Sequence, residues 1–291
     1  MARRPLDPIM PASKTDPAGQ SRRVREAMAR VDKAIRAAEA SLLLALKAMP
    51  VRAINAARYE YQVDLDQLRV IVDQIAAQLR AGISPVQQAA GGAYTEGTAA
   101  ASVNLSRLTE DYARPLTSLL SSEPFLRRSS LIGARVFEEM DGFAGETARD
   151  LGRVLMQGMQ DGRNPLDVAR DIKAQFAASK VRAERIARTE INGALRRGRL
   201  DEAQDAQERL GIKTGMLWAS ALSPTTRASH AKRHGRVYSL DEVREFYSRD
   251  GNGVNCKCGQ VEVLLDDSGK PTSTRAIERM AKARKAFEGG E

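Results

Sequence analysis

Both histidines and both cysteines of the 291-residue chain fall in the 29-residue window from His230 to Cys258. His230 and His234 stand at i and i+4, which on a helix puts both imidazoles on one face. Cys256 and Cys258 stand two apart, which on an extended segment puts both thiols on one face. Imidazole nitrogen and thiolate sulfur are the donors that tetrahedral zinc takes, so His230, His234, Cys256 and Cys258 form a candidate Zn2+ site. Such an ion would matter here, because aromatic residues make up only 4% of the chain. A structural zinc contributes on the order of 10–16 kcal/mol of apparent binding energy at neutral pH, enough to decide whether a small, aromatic-poor domain folds. In the alternative assignment His230 caps a turn, His234 is solvated and the thiols are small buried apolar groups.

Catalysis asks for more than ligands. A zincin-type helix carries a Glu beside its first His as general base, whereas His230-Ala231-Lys232-Arg233-His234 offers Lys and Arg. Cysteine nucleophile chemistry with a histidine base needs an imidazole held against a thiol, and no spacing in the chain specifies that contact. There is no Walker loop, no Gly-x-Gly-x-x-Gly and no Gly-x-Ser-x-Gly. The expectation is a chain that is not an enzyme. Two rivals stand beside a structural role: a metal- or thiol-dependent enzyme built on the four-residue cluster, and a plain duplex-DNA-binding protein.

The elements that must position these residues are mostly helical. From Ser21, Val24, Met28, Val31, Ile35, Leu42 and Leu46 recur mostly at spacings of three and four up to Pro50, a long amphipathic helix. Leu65, Leu68, Val72, Ile75 and Leu79 continue the pattern before Gly82, and the two helices should pair as a hairpin. Ser84-Pro85 opens another helix, which Gly91-Gly92 and Gly97 should interrupt. The glycines at 133, 142, 145 and 152 suggest short helices or close helix contacts over Leu116–Met159, and Asn164-Pro165 opens a cleaner helix through Phe176. A basic helix from Lys180 to about Arg209 leads, past Gly211, to a strand at Thr214–Ala219 holding Trp218, the only tryptophan. Short strands are expected at Arg236–Leu240 and Gln260–Leu265. The fold class is thus mostly α with a small α+β domain: an elongated helical N-terminal region at 21–178, then a compact mixed domain at 179–266. Residues 1–20, with four prolines, read as a flexible arm, and 267–291 as a basic tail.

The formal charge of +9 is unevenly placed, since residues 60–150 hold 8 Arg/Lys against 13 Asp/Glu. Basic residues gather at Arg3, Arg4, Arg22, Arg23 and Arg25, over Lys180–Arg199, around Arg227–Arg236, and from Lys270 to Lys285. Arg22, Arg23, Arg25, Arg196, Arg197 and Arg199 are the candidate contacts to DNA or to an acidic protein surface. No run approaches the roughly 18 apolar residues that span a bilayer, and the N-terminus develops no apolar signal segment, so no membrane partner and no export are expected.

In chain order, Arg188-Thr189-Glu190 on a helix, Gly211, Trp218 on a strand, Thr226-Arg227, His230, Gly235 and a closing Asn255-Cys256-Lys257-Cys258 resemble the signature of the phage Mu F-like family of minor head proteins. The resemblance covers roughly residues 150–262, with Arg188, Thr189, Glu190, Trp218, Arg227 and Gly235 as its motif residues. It implies a structural protein of a tailed bacteriophage that assists head assembly, DNA packaging or ejection. It also implies a place in the virion, in the head interior near the portal vertex, after synthesis in the host cytoplasm. The implied partners are the portal protein, the major capsid or scaffold protein, and double-stranded DNA. One position departs: where the family carries Asp ahead of Thr-Arg, this chain has Ser223, which can replace a capping carboxylate but not a chemical one.

Overall fold

The computed structural model describes residues 5–289; of the basic residues singled out above, Arg3 and Arg4 lie outside them. In chain order the elements are α1 (Ser21–Ala48), β1 (Val51–Ala53), β2 (Tyr59–Tyr61), α2 (Leu65–Arg80), α3 (Ile83–Leu108), α4 (Leu116–Leu120), α5 (Glu123–Gln160), α6 (Pro165–Leu210), β3 (Thr214–Ala219), α7 (Ala228–Ala231), β4 (Val237–Tyr238), α8 (Leu240–Ser248), β5 (Gly259–Leu264) and α9 (Arg275–Gly289). The chain is mostly α with small antiparallel sheets.

The described chain divides into two compact units, one of residues 24–88 and 134–187, the other of residues 5–23, 89–133 and 188–289. Helices α1, α3, α5 and α6 each contribute residues to both, and the boundary expected at 178/179 lies inside α6. In the first unit, α1 buries Val24, Met28, Val31, Ile35, Leu42 and Leu46, the stripe its spacing predicts. Asp64 and Gln67 close a reciprocal capping box on α2. Gln78 Nε2 donates to Ser41 Oγ at 2.8 Å, joining α2 to α1 as expected, but the two-stranded ribbon β1–β2 intervenes between them. That ribbon docks on the α5–α6 turn, Tyr59 N–H donating to Gly162 O and Tyr61 O–H to Arg163 O, each at 2.8 Å.

The interruption of α3 expected at Gly91-Gly92 and Gly97 does not occur, and α5 runs unbroken through Gly133, Gly142, Gly145 and Gly152 without forming short helices. At Gly97, Gly152 and Gly158 the glycine serves helix contact. A Cβ on Gly158 would lie 2.5 Å from Val168, and one on Gly97 would lie 2.1 Å from the carbonyl oxygen of Leu195 on α6. Absence of side chains lets the backbones meet, which outweighs the propensity cost of about 1 kcal/mol per glycine.

In the second unit, β3 is the centre of a three-stranded antiparallel sheet ordered β4-β3-β5, with Trp218 opposite Gln260 and Leu217 opposite both Val237 and Val261. Alternation along β3 splits its side chains. Met216 and Trp218 pack with Leu200, Ala203, Leu240, Val243 and Phe246, while Leu217 and Ala219 pack with Val263, Ala276 and Met280. The sequence expectation of a strand to Leu240 is shortened because Ser239 and Glu242 form a capping box that starts α8.

Both ends of the described chain are ordered against this sheet. The stretch expected to be a flexible arm docks: Ala18 N–H donates to Lys257 O at 3.1 Å, Ile9 N–H to Asn104 Oδ1 at 2.8 Å, and Met10 packs beside Met280. The expected basic tail forms α9, whose Ala276 and Met280 are buried. Neither segment has enough apolar residues to fold alone, and each borrows the face of β3 and β5 that the other elements leave open.

Candidate metal centre

Three of the four expected ligands converge. His230 Nδ1 lies 3.4 Å from Cys256 Sγ and 3.4 Å from Cys258 Sγ, and the three donor atoms lie within 4.8 Å of one another. For a tetrahedral ion with N and S ligands at about 2.0 and 2.3 Å, ligand atoms stand roughly 3.6 Å apart, so the donor spacing fits such an ion. All three residues are buried.

His234 is not part of the cluster. α7 is a single turn ending at Ala231, so the i, i+4 pairing has no helix to sustain it. The His234 ring turns to the other side, where Nδ1 accepts the Ser220 backbone N–H at 3.0 Å. Burial, which penalises the charged imidazolium, lowers its pKa.

The cysteines reach His230 from the loop after α8, and three contacts hold that loop. Arg227 donates to the carbonyls of Gly251, Asn252 and Val254 at 3.0, 2.8 and 3.1 Å. Arg188 Nη1 donates to Asn255 Oδ1 at 2.5 Å, and Thr189 Oγ1 accepts Asn255 N–H at 3.0 Å. Asn192 Nδ2 donates to Cys256 O at 2.6 Å. The Arg-Thr-Glu helix therefore clamps the Asn-Cys-Lys-Cys segment, and Asn255 holds φ of 55° there, a conformation asparagine tolerates. Of the motif triplet, Glu190 is buried. Ser223 does not cap α7, whose N-cap is Arg227; its Oγ shares a hydroxyl cluster with Thr225 and Thr226 at 3.2 and 3.1 Å.

Behind the cluster stands an aromatic wall. Trp218, fully buried, stacks on Tyr247 at 5.1 Å and meets Phe246 edge-on at 5.1 Å. Tyr247 O–H lies 3.6 Å from Cys256 Sγ, and the Arg196 guanidinium lies 3.4 Å from the Tyr247 ring centre. The two thiols share one proton: the hydrogen bond from Cys258 lowers the pKa of Cys256, and the same bond, with burial, raises that of Cys258. His230 and the Arg196 cation help hold the charge on Cys256. The pair is therefore a thiolate and a thiol beside an imidazole, a set that can hold a soft divalent cation.

Two of the expected DNA or portal contacts are corrected by this arrangement. Arg196 is 8% exposed beneath Tyr247, and Arg199 pairs with the fully buried Glu262 at 2.8 Å, so both serve the interior. Arg23 is engaged by Gln20 and by Glu96 at 2.9 Å, while Arg22 and Arg25 are exposed. The supporting residues Asn192, Ser220 and Tyr247 escaped sequence reasoning, because only the tertiary fold brings them to the cluster.

Gly235 closes the turn after His234. Its φ is 72°, its N–H donates to Trp218 O at 2.9 Å, and a Cβ there would lie 2.7 Å from Met280 Cβ and 2.9 Å from Ala281 N. Gly235→Ala is expected to cost about 2 kcal/mol, combining left-handed strain with the clash on α9. Urea unfolding would check it; a change under about 0.5 kcal/mol would contradict this account of the turn.

Residues 149–261 match the family model described as Phage Mu protein F like protein. Among curated proteins, the chain is 26% identical over 142 residues to minor head protein GP7 of Bacillus phage SPP1, covering 45% of each chain. It is 25% identical over 149 residues to the NAD(+)–arginine ADP-ribosyltransferase EFV of Enterococcus faecalis, covering 48% of this chain and 30% of that protein. An uncharacterized protein of Haemophilus influenzae is 32% identical over 113 residues, covering 38% and 24%. The chain thus spans less than half the length of each of these relatives. No solved structure matches it significantly.

Proposed function

We propose that the chain, whose residues 149–261 match the model of the Phage Mu protein F like family, is a structural minor head protein of a tailed bacteriophage, carried in the head interior near the portal vertex. The observation that carries this reading is the convergence of the motif residues: Arg188, Thr189, Trp218, Arg227, His230, Asn255, Cys256 and Cys258 build one interlocked centre. The likeness to the SPP1 minor head protein supports the same assignment. In this reading the portal protein and the major capsid or scaffold protein are its partners, and it assists head assembly, DNA packaging or ejection.

We assign His230, Cys256 and Cys258 to a Zn2+ ion, which would tie α7 to the loop before β5 and supply structural cross-linking. Contact with duplex DNA would use exposed cations such as Arg22, Arg25 and the α9 side chains Arg275, Arg279, Lys282 and Lys285. Such contact is sequence-independent and falls steeply with salt. Among the described residues no helix is long and apolar enough to cross a membrane.

The reading is non-enzymatic, with one specific observation favouring a second. His230 stands against both thiols, a contact the spacing did not specify, and an imidazole beside a thiolate is the arrangement of thiol nucleophiles. A Cys256→Ala chain that still assembles while a turnover is lost would move the assignment to that thiol-dependent chemistry. The structural role itself is tested by deleting the gene from its phage and imaging the lysate. Aberrant or empty heads that the gene in trans restores are expected; normal, infectious particles would contradict it.

A further inference from the structure

Beside the cluster opens a cavity of about 260 Å³ in which no Asp or Glu takes part. Its wall carries the cations Arg188, Arg227 and Lys257, four hydroxyl side chains, and on one side the three residues of the cluster itself. We propose that this cavity is a binding site for a tetrahedral oxyanion of the phosphate class.

Charge is the first ground. Arg227 donates to three neutral carbonyls, so its positive charge is not cancelled by the groups it holds, and Lys257 is exposed at the rim. Three cations, Arg188, Arg227 and Lys257, against the single Cys256 thiolate leave the wall net positive, which favours an anion. Donor geometry is the second ground. Thr226 Oγ1 accepts the Ser223 backbone N–H at 2.9 Å, and Ser223 Oγ bonds to both threonine hydroxyls, so one of the three O–H groups is left to donate outward. That O–H and the Lys257 ammonium suit an anion with several acceptor oxygens.

The third ground is unmet polarity. His230 is 2% exposed and its Nε2 has no partner, while the hydroxyl of Ser220, 3% exposed, has only the Cys258 sulfur. Both residues line the cavity, and a buried polar atom left without a partner calls for a ligand. The loop between them is also strained, since Leu222 holds φ of 48°, a conformation that bulky side chains avoid and that clusters at functional sites.

The test is titration of the full-length protein with inorganic phosphate, followed by 31P NMR, alongside Ser220→Ala, Lys257→Gln and a control, Lys33→Gln, on the exposed face of α1. Ser220→Ala removes a hydroxyl whose one bond is to the Cys258 sulfur, so the fold is expected to tolerate it. Saturable binding is expected, weakened at least about five-fold by each of the first two substitutions and unchanged by the third. A 5′-phosphorylated oligonucleotide that competes with phosphate, and loses binding in the same two variants, would identify the source as a nucleic-acid phosphate. An oligonucleotide that does not compete would identify free phosphate or a small phosphomonoester. Absence of saturable phosphate binding, or equal binding in the Ser220 and Lys257 variants and the parent, would overturn the proposal.

Discussion

Chelation of the zinc-loaded protein is expected to lower its melting temperature by roughly 10 °C, with the loss concentrated in the unit that contains β3, α7 and β5. The magnitude follows from a three-ligand site giving a fraction, about 3–5 kcal/mol, of the binding energy of a complete structural zinc site. Cys256→Ser and Cys258→Ser should abolish stoichiometric metal by elemental analysis, whereas His234→Ala should retain it, because His234 faces Ser220 instead of the thiols. The pH dependence has a definite sign. The raised pKa of Cys258 keeps that thiol protonated while Cys256 is already ionised, so metal must displace about one proton and its affinity falls as the pH falls. A protein whose melting point and metal content ignore chelator, or in which His234→Ala behaves like Cys256→Ser, would contradict the three-residue centre.

Gly198→Leu is expected to prevent folding, and Gly198→Ala alone to cost about 3–4 kcal/mol, at the upper end of overpacking penalties. A Cβ on Gly198 would lie 2.3 Å from Tyr94 O and 2.9 Å from Thr98 N, and the reciprocal Cβ on Gly97 would strike Leu195 O. The obstructing atoms are backbone, which cannot swing aside as a side-chain tip can. Gly91→Ala on the same α3 provides the contrast, since nothing lies within 4 Å of its Cβ. There the gain in helix propensity should raise stability by about 0.5–1 kcal/mol. Urea midpoints for the two alanine variants separate crossing from propensity. Equal effects would remove the crossing from the account.

Much of the architecture was legible in the residues, and what was not has physical reasons. The stripe from Val24 to Leu46 and the run Thr214–Ala219 were readable because burial on one face imposes a period. Gly97 reads as a breaker of α3 because breaker residues and close-contact residues look alike until the partner helix is known, whereas close contact is one of the two readings of Gly152. The β1–β2 ribbon was hidden: its three-residue strands are too short for a pattern and gain their hold from Gly162 and Arg163, about 100 positions away.

At the site, clustering of the only histidines and cysteines identified the chemistry, and chain geometry then selected three of the four. The i, i+4 spacing admits His234 only on a continuous helix, and α7 ends at Ala231. Arg196 and Arg199 looked like surface cations because charge in a sequence carries no direction; the buried ring of Tyr247 and carboxylate of Glu262 turn them inward. Ser220 and Asn192 gave no signal at all, since a hydroxyl or an amide becomes informative only when burial and partners are known.

The most direct test of the structural assignment is co-expression of this chain with the portal protein of its own phage, followed by affinity capture and particle imaging. A defined complex that survives purification is the predicted result. Two folded, soluble proteins that never associate would contradict a portal-linked role for this chain.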